Sequence, residues 1–137
     1  MVKPIMRDVL FLRMKAQPAT KADKQLGIDL LDTLKAHEHE CVGMAANMIG
    51  VNKAAIVVNM GLMNVVMFNP VIVKQSGEYE TEEGCLSLLG VRKTKRYKEI
   101  EVEFEDISFN KQKQKFSGYV AQIIQHEVDH LKDNYII

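Results

Sequence analysis

An α+β domain is predicted by two observations: several β-branched or alternating runs fill the middle of the chain, and a helix-period apolar pattern stands on either side of them. A third sets the boundary. No internal repeat, linker or low-complexity tract divides the 137 residues, a length that suits one hydrophobic core, so residues 1–137 are read as a single domain. Eighteen Lys and Arg balance eighteen Asp and Glu, which leaves no strong field to recruit nucleic acid or a membrane surface. Neither is expected as a partner. With no charged-then-apolar leader and no run long enough to span a bilayer, a cytoplasmic setting is expected. There, Cys41 and Cys85 are more often buried or metal-bound than bridged.

The elements follow in order. Between Lys24 and His39, Leu26, Ile28, Leu30, Leu31 and Leu34 recur at mixed three- and four-residue spacing, the pattern of an amphipathic helix, and His37 to Glu40 read as its solvated end. Cys41 to Gly50 is a run of small residues, expected to be a loop where backbone approaches a neighbour or a ligand closely. Ala54 to Asn59 and Asn64 to Asn69 form a strand pair around Met60-Gly61-Leu62-Met63, followed by strands at Val71 to Val73 and Glu78 to Thr81. From Tyr97 to Phe104, Ile100, Val102 and Phe104 alternate with Glu99, Glu101, Glu103 and Glu105, which predicts one buried face and a face of solvated glutamates. Lys111 to Lys115 reads as a polar edge strand protected by its lysines. Ser117 is the expected cap of a last helix whose apolar stripe includes Val120, Ile124, Val128 and Leu131.

That helix carries the chemistry. In Gln125-His126-Glu127-Val128-Asp129-His130-Leu131 the two histidines of an HExxH string lie one turn apart, so both imidazoles aim at one point with a carboxylate beside them. The common downstream sources of a third ligand are missing, since Asp133 and Ile136 stand where the extended HExxHxxGxxH form needs Gly and His. An upstream ligand is therefore required. Cys85 is the leading candidate, because a thiolate suits borderline divalent metals and Glu83-Gly84-Cys85-Leu86-Ser87 reads as a tight turn after an acidic strand; Glu82, Glu83 and the pair His37/His39 stay open as competitors. Gln122, one turn before His126, is expected near whatever the histidines hold.

Taken together, these motifs resemble the peptide deformylase family. EGCLS is matched in full by Glu83 to Ser87, QHExDHL by Gln125 to Leu131, and the Gly-rich GxGxAAxQ by Cys41 to Met48 with two departures. Leu12-Arg13 with Ala16-Gln17-Pro18, and Phe68-Asn69-Pro70, add weaker similarity. The resemblance implies mixed, mostly antiparallel sheets around a central HExxH helix, and hydrolysis of the formyl group of N-formylmethionyl peptides or nascent chains. By it, Cys85, His126 and His130 bind one divalent ion, Fe2+ first, with Zn2+, Ni2+ or Co2+ as substitutes. Glu127 serves as general base and then acid, and the Leu86 N–H stabilises the oxyanion. Val42 and Gly43 pair with the substrate backbone, and Ile123, His126 and Leu86 wall the methionine pocket, which Gln122 renders more polar.

The departures set further expectations. Met48 occupies the position of the family's oxyanion glutamine, and a thioether donates no hydrogen bond; one such donor is typically worth about a hundred- to a thousandfold in turnover. Slowed deformylation is the expectation, with Asn47 or Gln122 as candidate replacement donors. Cys41 replaces the motif's first glycine and Leu88 a common proline. Without the extended C-terminal helix that many bacterial members use there, ribosome association is not expected. Two alternatives accompany this reading: a metal-bound paralogue that binds formyl-peptide ends without turnover, and an amidase for another small N-acyl group.

Overall fold

The helix α2, Lys24–Ala36, buries Leu26, Leu30, Thr33 and Leu34, a stripe at the i, i+4, i+7, i+8 spacing of one helical face. Ile28, two residues from Leu26 and Leu30, falls off that stripe and is 37% exposed. At Gly27 the helix sits so close to the sheet that a Cβ would lie 2.6 Å from Ile107 and 2.8 Å from Phe68. Phe68 is fully buried and stacks on Phe109 with ring centroids 4.2 Å apart. The structure, a computed structural model, describes residues 1–85 and 88–132, the side chains of Cys85, Leu88 and Leu89 excepted.

A short helix α1, Val9–Leu12, precedes α2. Then come β1 (Gly43–Ala45), a 3₁₀ turn (Ala46–Ile49), β2 (Ala55–Asn59), β3 (Asn64–Cys85), β4 (Leu88–Glu105), β5 (Lys111–Ser117) and α3 (Gly118–Asp129). The strands form one five-stranded sheet in the order β1-β2-β3-β4-β5, antiparallel at every pairing. Parallel pairing is limited, among the described residues, to an isolated bridge between Gln17 and Lys53.

The runs at 71–73 and 78–81 are not separate strands. Both belong to β3, which pairs with β4 from Phe68 to Cys85 with irregularities after Phe68, Ile72 and Gly84. Nor is 41–50 simply a loop, since its middle residues form β1 and the 3₁₀ turn, all buried from Gly43 to Ile49. Glu101 departs from the solvated-glutamate pattern: it is 8% exposed, covered by Lys113 of β5 with 3.6 Å between charged atoms. Ser117 stands at the N-cap position with extended backbone but makes no side-chain cap bond, and it is still paired with Glu99 as the last residue of β5.

Helix α3 is buried along most of its length, from Ile123 through Asp129, against β4, β2 and β1. Gln125 pins it to the sheet. Its amide donates to the Tyr97 carbonyl and its oxygen accepts the Tyr97 N–H, both at 2.8 Å, so one side chain completes the backbone bonding of a β4 residue.

Candidate metal centre and peptide cleft

The one-turn spacing of His126 and His130 does what helical geometry dictates: their Nε2 atoms meet 3.3 Å apart. Glu127 joins them, the three side chains offering ligand atoms within 4.8 Å of one another, all buried. Burial lowers the His130 imidazole to about 3, with the neighbouring His126 adding to the effect, so the ring is neutral and its lone pair is available. Burial likewise raises the Glu127 carboxyl to about 7. Its Oε1 is buried and has no hydrogen-bond partner among the described residues.

Behind the histidines lies a buttress. Glu83, near the end of β3, accepts from His126 Nδ1 at 2.7 Å, from Arg96 Nη2 at 2.7 Å and Nε at 2.9 Å, and from the Gln122 amide at 2.9 Å. Arg96 of β4, 3% exposed, also donates through Nη1 to Asp129 at 2.6 Å. Burial alone would raise the Glu83 carboxyl, but the bonds from His126, Arg96 and Gln122 outweigh it and hold it at about 2. Burial acts on Arg96 in the opposite sense, and its two carboxylates raise it above its ordinary value. An ionised Glu83 only accepts, so His126 Nδ1 carries a proton toward it, and Nε2 is the ring atom that faces His130. The donor set therefore fits a divalent ion: two imidazole Nε2 atoms converging, the outer nitrogen of one held by a carboxylate, and an unpartnered carboxylate oxygen alongside.

A cleft of about 800 Å³ opens in front of these groups. Val42, Gly43, Gln122, Ile123, His126 and Glu127 all line it, as do Cys41 and Met48. Gly43 is where β1 meets α3, because a Cβ there would lie 2.8 Å from Ile123 and 3.0 Å from Glu127 Oε2. Gln122 spends its amide on Glu83. Asn47 spends its amide on the His130 carbonyl at 2.6 Å, at the C-terminal end of α3. Met48, 1% exposed, turns its thioether to the Ala45 N–H at 3.4 Å. Glu82 and His39 line the cleft, while His37 lies 3.7 Å from Glu40. The Cys85 side chain and Leu86 lie outside the described residues.

Sequence reasoning gave no role to Arg96, Asp129 or Gln125. A signal for Arg96 was present: it shares its parity with Ile100, Val102 and Phe104, so alternation places a charge on the inward face, where it needs carboxylates.

Comparison with known proteins decides the family. The model of the polypeptide deformylase family matches residues 3–137. The chain belongs to the peptide deformylase family. It is 57% identical over 132 residues to a peptide deformylase of Clostridium beijerinckii, covering 96% of this chain and 97% of the relative. A peptide deformylase of Dictyoglomus thermophilum is 36% identical over 130 residues, covering 92% and 84%. Among solved structures, the peptide deformylase of Thermus thermophilus superposes with a TM-score of 0.85 at 36% identity, covering 96% of this chain and 81% of that one. A class I type b enzyme of Acinetobacter baumannii with Met-Ala-Ser bound gives 0.85 at 29% identity, covering 100% and 97%. Peptide deformylases are hydrolases that remove the formyl group from N-formylmethionyl peptides and depend on a divalent metal. No helix among the described residues of this deformylase is long and apolar enough to cross a membrane.

Proposed function

We propose that the deformylase reaction of this chain runs at His126, His130 and Cys85 as metal ligands, with Fe2+ as the ion, on N-formylmethionyl peptides in the cytoplasm and within a single domain. The observation that carries this is the pair of Nε2 atoms 3.3 Å apart, with Nδ1 of His126 locked to Glu83. The third ligand is assigned to Cys85 because it stands at the ligand position of the family's EGCLS motif, and Glu83, a competing carboxylate, is already committed to His126, Arg96 and Gln122. When bound, a divalent ion supplies a water acidified to near neutral pH and polarises the formyl oxygen.

The protein groups do the rest. Glu127, with Oε1 unpartnered at the floor of the cleft, takes the proton of the attacking water and returns it to the leaving amine as the C–N bond breaks. The Leu86 N–H serves the oxyanion. An extended peptide pairs with β1, whose outer edge is not covered by another strand among the described residues. Val42 contributes its exposed side chain, because its carbonyl already accepts from Asn59 at 2.8 Å. Ile123 walls the methionine pocket, with Gln122 at its polar side.

Formate release from formyl-Met-Ala-Ser by the anaerobically prepared Fe2+ protein tests this, with Glu127→Ala as the blank. Equal rates for the two proteins would remove Glu127 from the mechanism. The Acinetobacter enzyme carrying Met-Ala-Ser supports a peptide of that length as the probe.

A further inference from the structure

The outer edge of β1 is already in use. Backbone groups alternate in direction along an antiparallel pair, and the bond from Asn59 N–H to the Val42 carbonyl fixes the phase in the register Gly43↔Val58. Met44 bonds inward to β2, while Gly43 and Ala45 present N–H and C=O outward, toward the cleft. Two sulfur side chains meet those outward groups. Cys41 Sγ donates to the Gly43 carbonyl at 2.8 Å, and Met48 Sδ accepts the Ala45 N–H at 3.4 Å. Both side chains line the same cleft as Glu127.

We propose that Cys41 is a positioning residue that latches the β1 edge, its thiol holding the Gly43 carbonyl that an incoming peptide N–H must take over. This rests on the deformylase reading above, in which the peptide enters as an added strand. Each binding event exchanges an S–H···O bond for an N–H···O bond at the same oxygen. A thiol is a weak donor, so the latch yields to a peptide N–H but subtracts from its affinity. A glycine or alanine at 41 offers no competitor, and a serine offers a stronger one. Donor strength at residue 41 therefore sets peptide affinity, acting through Gly43 and not on the reacting atoms.

The test is the dissociation constant of Met-Ala-Ser on the metal-loaded protein, with KM and kcat on formyl-Met-Ala-Ser, for wild type, Cys41→Ala and Cys41→Ser. Affinity should fall in the order Ala, Cys, Ser in steps of roughly two- to fivefold, as expected for one weak hydrogen bond, with the effect on KM and not on kcat. An alanine variant that binds no more tightly than wild type overturns the latch, as does a serine variant that binds as tightly as alanine. Absence of Met-Ala-Ser binding to all three at millimolar peptide also overturns it. Formate release reports on the underlying reading separately: the affinity order without any formate keeps the latch and removes the hydrolase.

Discussion

The two walls of the cleft are built in opposite ways. On the α3 side, charge holds geometry: Glu83, Arg96 and Asp129 form a buried chain of short ion pairs, with Gln122 and His126 attached to it. On the β1 side, small residues allow close approach, and the outward backbone groups are met by a thiol and a thioether, both weak partners. A buried charge network tolerates little, since removing one member leaves another unpaired in a low-dielectric interior. Sulfur contacts on an edge strand can be exchanged at small cost. The EGCLS and QHExDHL motifs, which supply the first wall's Glu83, His126 and Asp129, match the family in full, whereas GxGxAAxQ, which supplies the second, departs at Cys41 and Met48.

The largest expected effect comes from breaking the charged wall. Arg96→Met leaves Glu83 and Asp129 buried without their shared cation, and should lower stability by about 3–5 kcal/mol in urea unfolding. It should also weaken metal retention, because Glu83 then has one partner fewer to hold it against His126. A loss under about 1 kcal/mol would mean that the buttress is not what fixes the histidines.

Glu127 stands on α3 but makes no bond to its charge network, and that separates activity from stability. Glu127→Gln should cut formate release by about a hundred- to ten-thousandfold. Its thermal midpoint should hold or rise, since a carboxylate with an unpartnered buried oxygen is replaced by a neutral amide. Destabilisation on the scale of Arg96→Met would instead place Glu127 within the buttress.

On the β1 wall, Met48→Gln restores the donor that the family carries at this position. It should raise kcat on formyl-Met-Ala-Ser by roughly tenfold or more, a part of what one oxyanion donor commonly supplies. An amide at a site only 1% exposed should also cost stability until it finds partners. An unchanged kcat would mean that another group already serves the oxyanion, and the contrast between the two walls would lose its catalytic meaning.

What the sequence disclosed follows the same division between local and assembled features. His126, Glu127 and His130 were legible because one helix turn sets their relation. β2, read from 54 to 59, and the second half of β4, read from 97 to 104, were legible because apolar or alternating runs show the pleat, while the start of β4 at Leu88 carries no such run. Residues 74–78, Lys-Gln-Ser-Gly-Glu, carry no apolar period, so β3 reads as fragments, although pairing with β4 makes it continuous. The segment 43–45 is too short for a period to appear. Arg96 acquires its role only when Glu83, 13 residues away, and Asp129, 33 residues away, are folded against it. Gln125 sits inside the QHExDHL motif, yet its bond to Tyr97 depends on where β4 passes α3. Separation in sequence, more than residue type, decided what stayed hidden.

Gln122 gives the smallest expected effect and the sharpest comparison, because it stands where the two walls face each other. It lines the cleft, so a catalytic role as oxyanion donor was an open expectation, but its amide donates to Glu83 at 2.9 Å. Glu83 keeps its bonds from His126 and Arg96 when that third donor is removed. Gln122→Leu, half-buried and on a helical face, should therefore cost about 1 kcal/mol in unfolding, the worth of one hydrogen bond to a charged group offset by apolar burial. Its kcat should move by less than about threefold, whereas loss of an oxyanion donor would lower it by about a hundredfold or more. A hundredfold loss at unchanged stability would show the amide turning from Glu83 to the substrate during turnover, and would move Gln122 from the charged wall into the reaction itself.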